Sequence, residues 1–201
     1  KASYSFEIRG QSRVAGREAT TIILKPKDKF RLPHFVAIDN QSNLMLMSVI
    51  LSLSGKPLER FQFVEIEVGG ELDTMLMPNA QANLDEQCVN AFGQQNQGEW
   101  NVGFVPSGFF LTNSMKESLT GQTVLGFSDG LTTFTVFIES AQMSAEIPPF
   151  TYNHGATAAV STKIKVQGDE YTVSIVGEIP ADGAKKIAQS VKQASKILKQ
   201  P

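Results

Sequence analysis

The chain has 201 residues, 41% hydrophobic and 19% charged, with a net charge of −2. That is enough apolar residue for one domain or two small ones, and too little charge imbalance for a disordered chain or a general nucleic-acid binder. The longest apolar stretch, Leu44 to Met47 and then Val49 to Leu51 after Ser48, falls far short of the ~20 residues of a membrane helix, and the single cysteine, Cys88, excludes an internal disulfide or a four-cysteine zinc site.

In chain order, residues 4–68 predict an antiparallel meander. Five β-rich runs, at 4–14, 17–25, 30–39, 44–53 and 57–68, are separated by Ala15-Gly16, Pro26-Lys27-Asp28, Asn40 to Asn43 and Ser54 to Pro57. Each break has turn chemistry: glycine for positive φ, proline for fixed φ, Asn and Asp for local side-chain bonds. In the last run Phe61, Phe63 and Glu65 share one face and Gln62, Val64 and Ile66 the other, which suggests a sheet covered on both sides for part of its length. Residues 70–98 lose the pattern, and a short helix or irregular crossing is expected there, leading into a polar linker. The opening, KASYSFEIRG, lacks the basic and apolar regions of a signal peptide; a trimmed secreted chain reads the same, so compartment stays open.

Strands resume at Glu99. The run from Glu99 to Phe104 alternates Trp100, Val102 and Phe104, and a Pro-Ser-Gly turn at 106–108 comes next. Two strands flank Ser128-Asp129-Gly130, Pro148-Pro149 makes a break, and a last hairpin turns at Gln167-Gly168-Asp169. A closing helix is predicted from Pro180, with Asp182 in its first turn and Ile187, Val191, Ala194 and Leu198 in one apolar stripe. Fully burying Ile187, Val191 and Leu198 would contribute about 1.5–3 kcal/mol each. The expected architecture is α+β and mostly antiparallel β. It has a sheet piece at 1–82, a linker at 83–96, and a small domain of six strands and one terminal helix at 97–201.

Three chemistries come into question. Gly126-Phe127-Ser128-Asp129-Gly130 spells the G-x-S-x-G of a nucleophile elbow, but an elbow runs from a strand into a helix. Here Leu131 to Glu139 alternates like a strand, so Ser128-Asp129 is expected to be a hairpin corner, and no catalytic residue is assigned. His34 and His154 have neither metal-ligand spacing nor a neighbouring cysteine in sequence, Gly55-Lys56 lacks the rest of a phosphate loop, and no G-x-G-x-x-G occurs. No metal or cofactor is expected. Two basic clusters remain, Arg9 to Arg31 and the lysines after Asp182. Each could meet an anionic lipid head group or acidic peptide, but the favoured reading of each is a solvated sheet edge or helix face, where lysine blocks further strand pairing. A concave sheet side lined by Met45, Met47, Phe61 and Phe63 would suit an acyl chain; a core covered by helices is the competing reading.

Several separated segments carry a family resemblance in constant order. RVAGREATTIILKPKDKFR, HFVAID, LMLMSVIL and GKPLERFQF come first, then Trp100 with VPSGF, FSDGLTTFTVFIE, and VQGDEYTVSIVGEIPADGAKKIAQSVK. Together they resemble the later half of the large domain and the small domain of the MucB/RseB family. The family usually has a strand ending in Trp-Leu-Asp where HFVAID stands, and acidic residues where LMLMSVILS stands. The resemblance implies a large lipoprotein-carrier-like domain, a curved antiparallel sheet with covering helices, of which this chain would hold the later part. Residues 1–68 are therefore expected not to close a barrel alone.

It further implies a non-enzymatic periplasmic regulator of the envelope-stress sigma factor. Such a regulator would bind the periplasmic segment of a membrane anti-sigma factor, shield it from site-1 proteolysis, and release it on sensing lipopolysaccharide or another lipid. A periplasmic lipid or lipoprotein carrier is the alternative. From the enrichment of aromatic residues and arginine at interfaces, the expected partner contacts are Arg60, Phe61, Phe63, Trp100, Phe109 and Phe110. Small-domain core is the competing role for Trp100 and Phe109. Met45 and Met47 are the expected lipid contacts. Nucleic acid is not an expected partner; homo-oligomerisation is left open.

Overall fold

The structure is a computed structural model, and it describes residues 3–70, 98–141 and 148–194. Cys88, the expected linker 83–96 and nearly all of the expected crossing at 70–98 lie outside the described residues, as do residues 195–201. Among the described residues the fold is mostly antiparallel strand with one short helix, and the chain divides into two compact units.

One unit contains residues 4–26 and 33–70. Its strands are Tyr4–Val14 (β1), Arg17–Pro26 (β2), His34–Asp39 (β3), Met45–Leu51 (β4) and Pro57–Gln62 (β5), an antiparallel meander in the order β1-β2-β3-β4-β5. β1 and β5 do not pair with each other, so the described sheet is open. Three of the five strands, β1, β2 and β4, begin and end close to the turn signals that predict them; β5 begins at Pro57 as expected but stops at Gln62, short of the expected 68, so Phe63 to Ile66 are not strand. The third starts later: residues 30–33 are not strand, and Pro33, which lacks an N–H to give a ladder, precedes His34. The core of this unit is Val14, Ala19, Ala37, Leu46, Met47 and Val49, with Phe35, Leu51 and Ile66 packed against it.

The other unit contains residue 3, residues 27–32 and the described residues from 98 onward. Its main sheet has the order β10-β11-β12-β9-β8-β7, formed by Phe110–Lys116 (β7), Thr123–Ser128 (β8), Thr133–Ser140 (β9), Phe150–His154 (β10), Thr157–Val166 (β11) and Asp169–Gly177 (β12). Helix Ala181–Gln189 (α1) packs on β11 and β12. Register explains the core: Val160, Ile175, Val136 and Leu125 are cross-strand neighbours on one face, and all four are buried. Phe134, Val136 and Ile138 face inward as the alternation in β9 predicts. Gly177 lies opposite Phe134, where a Cβ would come within 2.5 Å of the Phe134 Cα; only glycine lets these strands meet. Phe134 then stacks on Phe127, centroids 5.0 Å apart.

The helix is shorter than its apolar stripe predicts. It ends at Gln189, and Val191–Gln193 (β13) instead pairs with Trp100–Val102 (β6). Ser190 makes the break. Its Oγ donates to the Ile187 carbonyl at 2.6 Å and accepts from Phe104 N–H at 2.9 Å, while its own carbonyl accepts from Gly103 N–H at 3.0 Å. Val191 is buried, as the stripe requires, but from a strand. Besides the expected six strands, this unit therefore contains β10 and β13.

Candidate functional site

In the first unit, register sorts the expected contacts onto faces. Phe61 lies beside Ser48, and the same cross-strand row continues through Val36 and Ile22 to Ile8. The next row runs Phe6, Leu24, His34, Ile50. The middle of this face is buried, but its ends are not: Phe6 is 67%, Ile8 71% and Phe61 54% exposed. The Phe61 and Phe63 rings meet edge-on at 5.1 Å, and exposed Arg60 hydrogen-bonds to Gln62. The exposed part of this apolar strip is thus its two margins, Phe6 and Ile8 at one and Phe61 at the other, with Val36, His34 and Ile50 covered between them; each margin is the kind of surface that meets an apolar ligand or peptide face. Met45 is 41% exposed, but Met47 is buried in the core beside Ala37. Met47 also neighbours Gln62 while Phe61 neighbours Ser48, so Met47 and Phe61 point to opposite faces and do not line one cavity.

The basic cluster of residues 9–31 is largely neutralised. Arg9 and Lys25 both pair with Glu7, Arg13 with Glu18, and Arg17 with Asp39 at 2.8 Å. Asp39 is 1% exposed by its side chain. Hydrogen bonds from Arg17 and then from Ser42 hold its carboxyl far below the usual carboxylate range, against the opposing effect of burial.

In the second unit, Trp100 and Phe109 belong to the core. Trp100 meets Tyr171 edge-on at 4.8 Å and Phe109 lies 5.1 Å from the Phe134 ring, so neither offers a face to a ligand. Phe110, at the start of β7, is 55% exposed. The Ser128-Asp129-Gly130 corner is structural: Ser128 Oγ donates to the Thr132 carbonyl and accepts from Gly130 N–H at 3.0 Å, and Gly130 has φ 93°, which glycine alone adopts cheaply. Asp129 Oδ1 accepts from the N–H groups of Leu131 and Thr132 at 3.0 and 2.9 Å.

Its other oxygen, Asp129 Oδ2, holds Arg31, a residue the sequence places only in a basic run. The Arg31 side chain is fully buried. It donates from Nε to Asp129 at 2.5 Å, from Nη1 to Asp28 and from Nη2 to the Ser107 carbonyl at 2.8 Å, and its guanidinium lies 4.5 Å from the Phe109 ring centroid. Burial pushes the Asp129 carboxyl up, but Arg31 and the two backbone donors outweigh it and hold it low. Next to this cluster, Lys186 Nζ lies 4.0 Å from the Phe104 centroid, and Phe104 meets Phe30 edge-on. No three His, Cys, Asp or Glu residues gather to hold a metal among the described residues, and none of the helices described is long and apolar enough to cross a membrane.

Two family models cover most of the chain: the MucB/RseB N-terminal domain matches residues 1–81 and the MucB/RseB C-terminal domain residues 94–192. The chain belongs to the MucB/RseB family. Among members of this family it is 34% identical over 194 residues to the sigma-E factor regulatory protein RseB of Haemophilus influenzae, covering 95% of this chain and 60% of that one. It is 32% identical to the sigma factor AlgU regulatory protein MucB of Pseudomonas aeruginosa, covering 94% and 60%. The chain thus spans about 60% of the length of these MucB/RseB relatives. A crystal structure of MucB in complex with MucA(peri) matches with a TM-score of 0.78 at 30% identity, over 96% of this chain and 68% of that one. The complex structure of Pseudomonas aeruginosa MucA/MucB matches with a TM-score of 0.79 at 29% identity, over 96% and 65%. The relatives are named as regulatory proteins, and two of the matched MucB structures are complexes with MucA.

Proposed function

We propose that this chain is a non-enzymatic periplasmic regulator. It binds the periplasmic region of a membrane anti-sigma factor, keeps that region from site-1 proteolysis, and gives it up when a lipid such as lipopolysaccharide binds. The observation that supports this reading is the likeness, through both family domains, to MucB structures solved with MucA. Residues 1–82, 83–96 and 97–201 then correspond to the later large-domain sheet, a linker and the small domain. The apolar strip ending in Phe6, Ile8 and Phe61 suits the lipid, with Met45 at its side. Arg60, Phe61, Phe63 and Phe110 are the proposed partner contacts, and Trp100, Phe109 and Met47 support them from the cores. A lipid shifts the equilibrium only through unequal affinity for the free and partner-bound forms.

Capture of the anti-sigma factor's periplasmic region on immobilised protein, with and without lipopolysaccharide, tests this. Binding that lipopolysaccharide weakens is expected; no binding by the full-length protein in either condition overturns it. The exposed ends of the apolar strip also suit the alternative, a lipid or lipoprotein carrier. A carrier would extract lipid from vesicles and ignore the anti-sigma region.

A further inference from the structure

The two edges of the six-stranded sheet are built differently. β7 is guarded: its pairing with β8 slips at a bulge between Leu111 and Asn113, and it ends on Lys116, which pairs with Glu99 at 2.8 Å. Bulges and charges are the usual means by which an edge strand avoids pairing with another chain. β10 has neither. Its register with β11 runs without a shift from Phe150↔Ser161 to His154↔Thr157, and the sequence Phe-Thr-Tyr-Asn-His contains no Lys, Arg, Asp or Glu. All five residues are exposed, and among the described residues β10 pairs with β11 alone. Along an antiparallel strand, backbone groups alternate between the two sides, so half of those in β10 point away from β11.

Beside this edge lies a cleft of about 280 Å³ lined by Pro149, Phe150 and Thr151 on one side and Lys185 and Gln189 of α1 on the other. Thr151 neighbours Val160, so its side chain shares the α1-covered face. Phe150 and Tyr152, 40% and 59% exposed, point to the opposite face, where exposed Val176 also lies, one strand beyond Ala159. Among the described residues Lys185 has no ion-pair partner.

We propose that β10 is a strand-addition site for an extended peptide that alternates acidic and apolar residues. The peptide backbone takes the outward N–H and C=O groups of β10, as in other cases of strand addition. Its acidic side chains fall on the helix side, within reach of Lys185 and Gln189, and its apolar side chains lie along Phe150 and Tyr152. The occupant is an acidic peptide because the cleft presents a cation that no described carboxylate neutralises, and the opposite face is aromatic. This inference rests on the reading that the chain captures a segment of another protein, and it assigns that segment's docking mode.

The test is an amide NMR titration with a synthetic peptide of alternating glutamate and valine, against a lysine–valine control. Shifts and slowed amide exchange are expected from Phe150 to His154, with shifts at Lys185 and Gln189 and weaker binding of the control. Lys185→Glu, at an exposed helix position, should weaken the acidic peptide about tenfold or more, and Thr151→Glu, which sets an anion on the face that receives the peptide's carboxylates, should weaken it likewise, with Trp100 emission unchanged in both. Absence of shifts on β10, equal binding of the control, or unaltered affinity in Lys185→Glu overturns the proposal. If the anti-sigma region binds while β10 stays silent, strand addition fails and the regulatory reading stands. Peptide addition at β10 without anti-sigma binding gives the reverse.

Discussion

Arg31 Nε lies 2.5 Å from Asp129 Oδ2, with the two side chains 0% and 1% exposed. The residues are 98 apart in sequence, so this ion pair joins an early loop to the corner between β8 and β9 inside one compact unit. Removing one member of a buried pair strands the other charge and costs about 3–5 kcal/mol. Arg31→Ala and Asp129→Asn should each unfold this unit at markedly lower urea, followed through Trp100, which sits in the same core. A double replacement with apolar residues, Arg31→Met with Asp129→Leu, should lose less than the sum of the single changes, because neither of the two fully buried partners is left as a lone charge.

Ser128→Ala should be mild. The hydroxyl donates to Thr132 O and accepts from Gly130 N–H, and its loss should cost about 1 kcal/mol, read from the urea midpoint. Partner binding should be unaffected. A hydrolytic activity that disappears in this variant would contradict the assignment of the corner as structural.

Acid should destabilise both units. Asp39 and Asp129 have folded-state pKa values below their ordinary ones. Their contribution is therefore complete above the unfolded value near ~3.9 and is lost as pH falls through the lower folded values. Thermal unfolding by circular dichroism from pH 7 down to pH 2 should show the loss. Asp39→Asn should be less stable than the wild type at neutral pH, and its stability should fall less steeply over the acid range.

Phe61→Ser should separate binding from stability. The ring is 54% exposed and lies at the sheet margin, so unfolding should change by about 0.5–1 kcal/mol. Partitioning of a fluorescent acyl-chain probe onto the protein should fall several-fold, and more so with Phe6→Ser in the same chain. Unchanged probe binding in the double variant would remove the apolar strip as the lipid surface.

Much of the fold is legible from local chemistry. Turn residues delimit β1, β2 and β4 and open β5, and strict alternation identifies which of Thr133 to Ile138 face inward. The strand pattern from Leu131 onward is enough to rule out the elbow. The end of α1 is not legible, because Val191 keeps helical spacing. The helix is stopped by Ser190, whose partners Gly103 and Phe104 lie some 86 residues earlier in the chain. Nor can sequence single out Arg31 from its basic neighbours: Arg9, Arg13 and Arg17 find acids on their own or nearby strands, whereas Asp129 arrives only through tertiary folding. The exposed ends of the apolar strip, Phe6, Ile8 and Phe61, likewise depend on register across five strands.

The placement of residues 27–32 in the same compact unit as the six-stranded sheet makes that unit genetically discontinuous. A gene fragment beginning at residue 97 would encode every strand from β6 to β13, yet it would lack Phe30 and Arg31, and so take from Asp129 its ion-pair partner and from Phe109 the guanidinium packed on its ring. In this chain the small domain is therefore not a portable module: recombination, truncation or fusion that respects its apparent sequence boundary would separate it from a part of its own interior.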